Sequence, residues 1–85
     1  MKLIDMYGVI RYQDANHRLH RENGPAIIFP DGDSSWFFDG KLHRINGPAI
    51  DWKVEGRFVW ALHGVRVDCT TQEEFEQLMR MKAFW

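Results

Sequence analysis

Leu19-His20-Arg21-Glu22-Asn23-Gly24-Pro25-Ala26-Ile27 returns 23 residues later as Leu42-His43-Arg44-Ile45-Asn46-Gly47-Pro48-Ala49-Ile50, with eight of nine positions identical. Chance does not produce such agreement. The chain is built from repeats, and a period of this length marks an array in which each unit buries its apolar face against the next. Further out, Trp36 matches Trp60 and Gly40 matches Gly64 at an offset of 24, so one residue is added between Ile50 and Gly56. Glycines at 24, 32, 40, 47, 56 and 64 keep a beat of seven to nine residues, and Asn16 fills the missing beat after Gly8. Asn23, Asp31, Asp39 and Asn46 each precede one of these glycines. Asn-Gly and Asp-Gly are strong hairpin signals, because type I′ turns need positive φ at both central residues.

Between the turns, Ala26–Phe29, Ser35–Phe38, Ala49–Trp52, Arg57–Leu62 and Val65–Cys69 are rich in β-branched and aromatic residues, as strands require. In the last two, alternation places Phe58 with Trp60, and Val65 with Val67 and Cys69. Ile10–Tyr12 and His17–Arg21 read as a degenerate first unit, with Lys2–Met6 as a leading strand. Pro25 and Pro48 lack an amide donor, so each should start a strand or sit on its unpaired side. Then the pattern changes. Thr71-Gln72-Glu73-Glu74 fits a capping box, followed by Phe75, Leu78 and Met79 at helical spacing. A helix over Gln72–Ala83 should cap the array, Phe84 and Trp85 extending the contact; the alternative is an exposed sticky surface of Met79, Met81, Phe84 and Trp85.

The expected fold is mainly β: an antiparallel meander of about seven short strands from hairpin repeats of about 23 residues, closed by one C-terminal capping α-helix. It is one domain over 1–85. Residues 1–18 form leading strands and a degenerate repeat, 19–41 the first repeat, 42–69 the second, and 70–85 the cap.

Composition narrows the class without naming an activity. Leu, Ile, Val and Phe supply 22 of 85 residues, above the range of disordered chains, and four Trp, two Tyr and six Phe are many for this length. Eleven basic and twelve acidic side chains leave a net charge of −1, which nominates no polyanion. Cys69 is the single cysteine, so neither a disulfide framework nor a cysteine-rich zinc site is available. No apolar run approaches membrane-spanning length and residues 1–10 carry no signal-peptide pattern, so the expectation is a soluble cytoplasmic protein with no membrane partner.

The stretch Trp36-Phe37-Phe38-Asp39-Gly40-Lys41-Leu42-His43-Arg44-Ile45-Asn46-Gly47-Pro48-Ala49 resembles the W-Y-x-N-G-x-x-H-R-x-D-G-P-A repeats of MORN-like proteins, frequent in bacteriophages and large viruses. The resemblance covers Tyr12 to about Phe75. Ordinary MORN repeats generally follow the His with Gly rather than Arg, a departure that weighs against the lipid-binding role of some members. The resemblance implies a β-hairpin fold, interaction duties and no catalytic mechanism. It further implies a small phage protein in the host cytoplasm, inhibiting a host or antiviral-defence protein by steric occlusion.

Candidate sites each have a structural counterpart. Aromatics exceed what one small core absorbs, and Trp36, Phe38, Arg44, Trp52 and Trp60 are the expected partner-binding residues, since interface hot spots favour Trp, Tyr and Arg. Open edge strands also admit a homo-oligomer, and a self-assembling structural protein is a further alternative. The second class is a small-ligand sponge in which His20, Arg21, His43 and Arg44 clamp the phosphates of a nucleotide signal. Against it, residues repeated with the scaffold usually serve the scaffold, His bonding a turn carbonyl and Arg lying over Trp36 or Trp60. His17-Arg18-Leu19-His20-Arg21 splits its charges between two strand faces, and residues 1–69 balance nine basic against nine acidic side chains, so nucleic acid is not an expected partner. His17 and His20 lack a metal-site context, and no metal or cofactor is expected. A two-histidine phosphodiesterase built on His20 and His43 would need a concavity that a small meander does not offer, and Cys69 lies on an apolar strand pattern, so the chain is expected not to be an enzyme.

Overall fold

The computed structural model of the chain describes residues 1–81. In order along these residues come β1 (Lys2–Ile4), β2 (Ile10–Tyr12), β3 (Ile27–Ile28), β4 (Ser34–Ser35), β5 (Phe37–Phe38), β6 (Lys41–Leu42), β7 (Ile50–Trp52), β8 (Arg57–Leu62), β9 (Val65–Val67) and α1 (Gln72–Arg80). Seven strands form one antiparallel meander in the order β1-β2-β3-β4-β7-β8-β9, while β5 and β6 make a separate two-stranded ribbon. The molecule is mainly β with one short C-terminal helix, as expected, and is a flattened body of 42 × 30 × 17 Å.

The separate ribbon arises at an aromatic corner. The Trp36 N–H donates to Ala49 O in the main sheet (2.7 Å), while Trp36 O accepts from the His43 N–H (3.0 Å), so this residue belongs to two ladders that diverge. Tyr12 does the same one unit earlier, donating to Ala26 O (2.8 Å) and accepting from the His20 N–H (3.0 Å). At the third corner β8 pairs with β7 through Arg57, Phe58 and Val59, and with β9 through Trp60, Ala61 and Leu62. Each unit is therefore two hairpins, one in the main sheet and one turned away from it. The expected single strand Ser35–Phe38 splits at Trp36 for this reason. Phe58 and Trp60 also part company, Phe58 exposed and Trp60 buried, because the strand changes partners between them. His17–Arg21 contributes only an isolated bridge, Leu19 to Gln13.

Turn chemistry corrects several glycine assignments. Asp39-Gly40 (φ 52° and 77°) and His63-Gly64 (φ 50° and 83°) have positive φ at both residues, as a type I′ turn needs. In the first unit the left-handed residue is His17, not Asn16, with φ 63°. Gly24 and Gly47 do not have positive φ, so Asn23-Gly24 and Asn46-Gly47 are not hairpin turns. Another contact demands those two glycines.

The core is lopsided. Ala26 and Ala49 are fully buried, but the cluster of large buried side chains is Trp60, Leu62, Val67 and Phe75, with Cys69, Leu78 and Met79 packed against it. Helix α1 closes this end. Thr71 caps it, its side chain accepting from the Glu74 N–H (3.2 Å). Glu74 Oε1 reaches back, accepting from the Thr70 N–H (3.2 Å) and hydroxyl (2.7 Å). These bonds hold the Glu74 carboxyl below its ordinary pKa, the Thr70 hydroxyl contributing most. The helix stops at Arg80; its expected extension to Ala83 and the contact through Phe84 and Trp85 lie outside the described residues.

Candidate functional site: the groove between the His-Arg loops

The repeated motif is a stacking device. The Arg21 guanidinium lies 4.0 Å from the centre of the Tyr12 ring, and that of Arg44 lies 3.9 Å from the centre of the Trp36 ring. On the other side of each guanidinium is glycine backbone. A Cβ on Gly24 would stand 2.8 Å from Arg21 Cζ, and one on Gly47 would stand 2.7 Å from Arg44 Cζ. Each arginine then donates through Nη1 to the proline carbonyl of its own motif, Arg21 to Pro25 O (3.2 Å) and Arg44 to Pro48 O (3.1 Å). Arg, Gly and Pro are thus parts of one sandwich per corner, with a cation on an aromatic face. Trp60 carries no arginine on its ring among the described residues. Its Nε1–H donates to Gln72 Oε1 (2.7 Å), and Gln72 Nε2 donates to Ile45 O (3.0 Å), so the first residue of α1 stands where a further repeat would bring its loop.

The histidines tie corners to turns. His20 Nδ1 accepts from the Asp39 N–H (2.9 Å), and His43 Nδ1 accepts from the His63 N–H (3.0 Å). The partner is a turn amide, not the turn carbonyl expected. Beside each, a leucine carbonyl takes the turn glycine, Gly40 N–H to Leu19 O and Gly64 N–H to Leu42 O, both at 2.8 Å. The rings form a ladder: His20 to Phe38 at 4.5 Å, Phe38 to His43 at 6.2 Å, and His43 to His63 at 4.5 Å between centroids. Burial, and then the neighbouring His63, push the His43 imidazole below its ordinary pKa.

Asp14, His20 and Asp39 bring ligand atoms within 4.8 Å of one another. The place of a cation there is held by Arg18, whose Nη2 is 2.9 Å from Asp14 Oδ2 and 3.8 Å from Asp39 Oδ1. Against the upward push of burial, amide bonds from Arg18 and Asn16 and the Arg18 guanidinium keep the Asp14 carboxyl below its ordinary value. His17 is exposed. Cys69 is half-buried, and burial, with the charges of Glu74 and Asp68, raises its thiol pKa, the reverse of nucleophile activation.

One groove lies between the two loops, with a volume of about 260 Å³. Trp36, Phe38 and Ile45 supply its apolar lining, Arg21, Arg44 and Glu22 its charges, and His43 and Asn46 complete it. Three of the five expected partner-binding residues therefore converge: Trp36, Phe38 and Arg44. Trp52 does not reach the groove. It stands on the main sheet, edge-on to Phe29 (6.2 Å, 86°), with Nε1 donating to Ser35 Oγ (3.4 Å) and Arg57 5.7 Å from its ring centre. Nor does Trp60, which is 6% exposed because α1 covers it. Of the alternative ligand set, Arg21, His43 and Arg44 line the groove, while His20 packs at a tilt against Phe38 and is not part of the lining.

Sequence reasoning missed Glu22 and Ile45. They occupy the one position of the nine at which the repeats differ. Both are exposed and both line the groove. The groove thus combines arginines shared by the repeats with the one position at which they differ.

No protein-family model, curated protein or solved structure matches the chain. Among the described residues, no helix is long and apolar enough to cross a membrane.

Proposed function

We propose that the chain is a non-enzymatic protein-binding module whose contact surface is the groove between the His-Arg loops. The observation that carries this reading is the convergence, at one groove, of Trp36, Phe38 and Ile45 with Arg21 and Arg44 from successive units. Aromatic and arginine side chains around a small pocket are the usual makings of an interface hot spot. A volume of about 260 Å³ fits a protein side chain or two and falls below the roughly 300–1,000 Å³ common for small-molecule sites. The His20 and His43 Nδ1 atoms are taken by turn amides, which argues against acid–base use of those atoms. In the form implied by the viral resemblance, the module is a small phage protein inhibiting a host or antiviral-defence protein by occupying its surface.

A nucleotide-signal sponge is the second reading, favoured by Arg21, His43 and Arg44 lining the same groove. Native mass spectrometry of tagged protein recovered from a bacterial lysate separates the two. The module predicts a stoichiometric complex with one protein, retained by the wild type and lost with Ile45→Glu, a substitution at an exposed position. A bound species of a few hundred daltons would support the sponge, and bare oligomers would support a self-assembling structural protein; either overturns the module.

A further inference from the structure

Among the described residues, Arg11 has Asp5 at 2.9 Å, Arg18 has Asp14 and Asp39, and Arg66 has Asp68 at 4.0 Å. Among the described residues Arg21, Arg44, Arg57 and Arg80 have no carboxylate within that range, and of these Arg21 and Arg44 line the groove. A guanidinium carries five N–H donors, and each of these uses one on a proline carbonyl. Arg44 is the more demanding of the two. It is half-buried, and its Nε is buried without a hydrogen-bond partner among the described residues. Burial depresses its pKa against the opposing pull of the Asp51 charge, whose own Oδ1 is also buried without a hydrogen-bond partner among the described residues, so Asp51 offsets the cost of the cation only in part and from beyond ion-pair range. Glu22 lines the same groove yet forms no ion pair with either arginine among the described residues.

A charged group desolvated beside an apolar wall, with room in front of it, is an incomplete ion pair. We propose that the groove seats a carboxylate carried next to an apolar side chain in a peptide segment of a partner, the carboxylate on Arg44 within reach of the Arg21 field, the apolar group on Trp36, Phe38 and Ile45. The proposal rests on the protein-binding reading above and names the chemistry of the partner at that site. Planar bidentate recognition of carboxylate is what a stacked guanidinium does best, and an aromatic floor excludes the water that would otherwise screen it.

The test uses the full chain labelled with ¹⁵N and the probe peptide acetyl-Phe-Glu-Phe-amide. Its glutamine counterpart and inorganic phosphate serve as comparators. The glutamate peptide should shift the Arg44 Nε–H, Trp36 Nε1–H and Ile45 amide signals together. The glutamine peptide should bind more weakly by about tenfold, the scale of a charge-assisted hydrogen bond. Arg44→Lys keeps the charge, loses the fork and should weaken the glutamate peptide by about tenfold as well. Because Arg44 also holds the fold, Glu22→Gln is the decisive second variant. Glu22 is exposed, so the protein should remain folded, and removing its like charge should tighten the glutamate peptide by about twofold and leave the glutamine peptide unchanged.

Equal affinity for the two peptides overturns the proposal, as does indifference to Glu22→Gln. Shifts reproduced in full by phosphate at the same concentration also overturn it, by reducing the site to a simple anion trap. The two readings fail separately. A lysate partner lost with Ile45→Glu but indifferent to Glu22→Gln would sink the carboxylate and keep the module. Selective glutamate binding with no protein partner would do the reverse.

Discussion

The two ends of the array are held by different physics. Toward the N-terminus no large side chain is fully buried; the fully buried apolar residues there are Ala26 and Ala49, and order comes from an arginine sandwiched between ring and glycine, turn amides on histidine, and the Arg11–Asp5 pair. Beyond Val59 the chain builds a dry core of Trp60, Leu62, Val67 and Phe75 under a helix. A repeat unit thus propagates order by polar stacking, whereas burial is concentrated where the array ends. Phe75→Ala should have the largest effect of any substitution considered, about 3–5 kcal/mol for truncating a buried Phe. A domain of this size holds on the order of 4–13 kcal/mol in total, so the variant should be marginal. Ile4→Ala, at an exposed position of the edge strand, should lie within about 0.5 kcal/mol of wild type. Urea denaturation followed by tryptophan fluorescence checks both, and a large cost for Ile4→Ala would dissolve the contrast.

Within the polar part, the sandwiches rank themselves. Gly24→Ala and Gly47→Ala each place a methyl where a guanidinium already lies, at 2.8 Å and 2.7 Å from Cζ. Displacing a packed group costs about 1–3 kcal/mol. Gly47→Ala should cost more, since Arg44 lies on indole, the better cation-π acceptor, and Arg21 on phenol. The reverse order in denaturant midpoints would show that the ring partner does not set the strength of a sandwich. One step smaller, Thr71→Ala removes the helix cap and should cost about 1 kcal/mol. Its effect should appear in the amide exchange of α1 and hardly at all in that of β1 and β2.

The meander, the helix with its cap and the pairing of arginine with an aromatic were legible in the sequence, because period, turn residues and capping boxes act locally. What was not legible depends on which contact a residue type serves. Asn23-Gly24 and Asn46-Gly47 have the letters of a type I′ turn, yet their glycines are required by the approach of a guanidinium from three residues earlier in the chain. Trp36 and Trp60 are equivalent in sequence and differ in fate, because only the second has a helix above it. The groove was half legible. Trp36, Phe38 and Arg44 were expected, but Glu22 and Ile45 occupy the one motif position at which the repeats differ, so no shared letter marks them.

The last contrast lies within the histidine ladder. Each of two histidines accepts a turn amide at Nδ1, but the same nitrogen of His20 has Asp39 Oδ1 at 3.3 Å, whereas His43 faces a second imidazole, His63, at 4.5 Å between centroids. Protonating His43 at Nδ1 replaces the acceptor of the His63 N–H with a donor and places a cation beside a titratable ring. The fold therefore favours neutral His43, whose pKa lies below the ordinary 6.5. As pH falls, the unfolded chain takes up this proton first, so the stability due to neutral His43 is complete above 6.5 and is lost as pH drops through the folded value. The depressed carboxyls of Asp5, Asp14 and Glu74 lose their contributions only at lower pH, below the ordinary values of 3.8 and 4.5. Urea midpoints at about pH 7.5 and about pH 5.5 therefore span the His43 titration and lie above the range in which those carboxyls lose their charge. His43→Asn keeps an acceptor without a titrating ring, and it should flatten the loss of midpoint that wild type suffers between the two. If both proteins lose the same amount, acid acts elsewhere, and the His43–His63 step is no weaker in acid than the rest of the ladder.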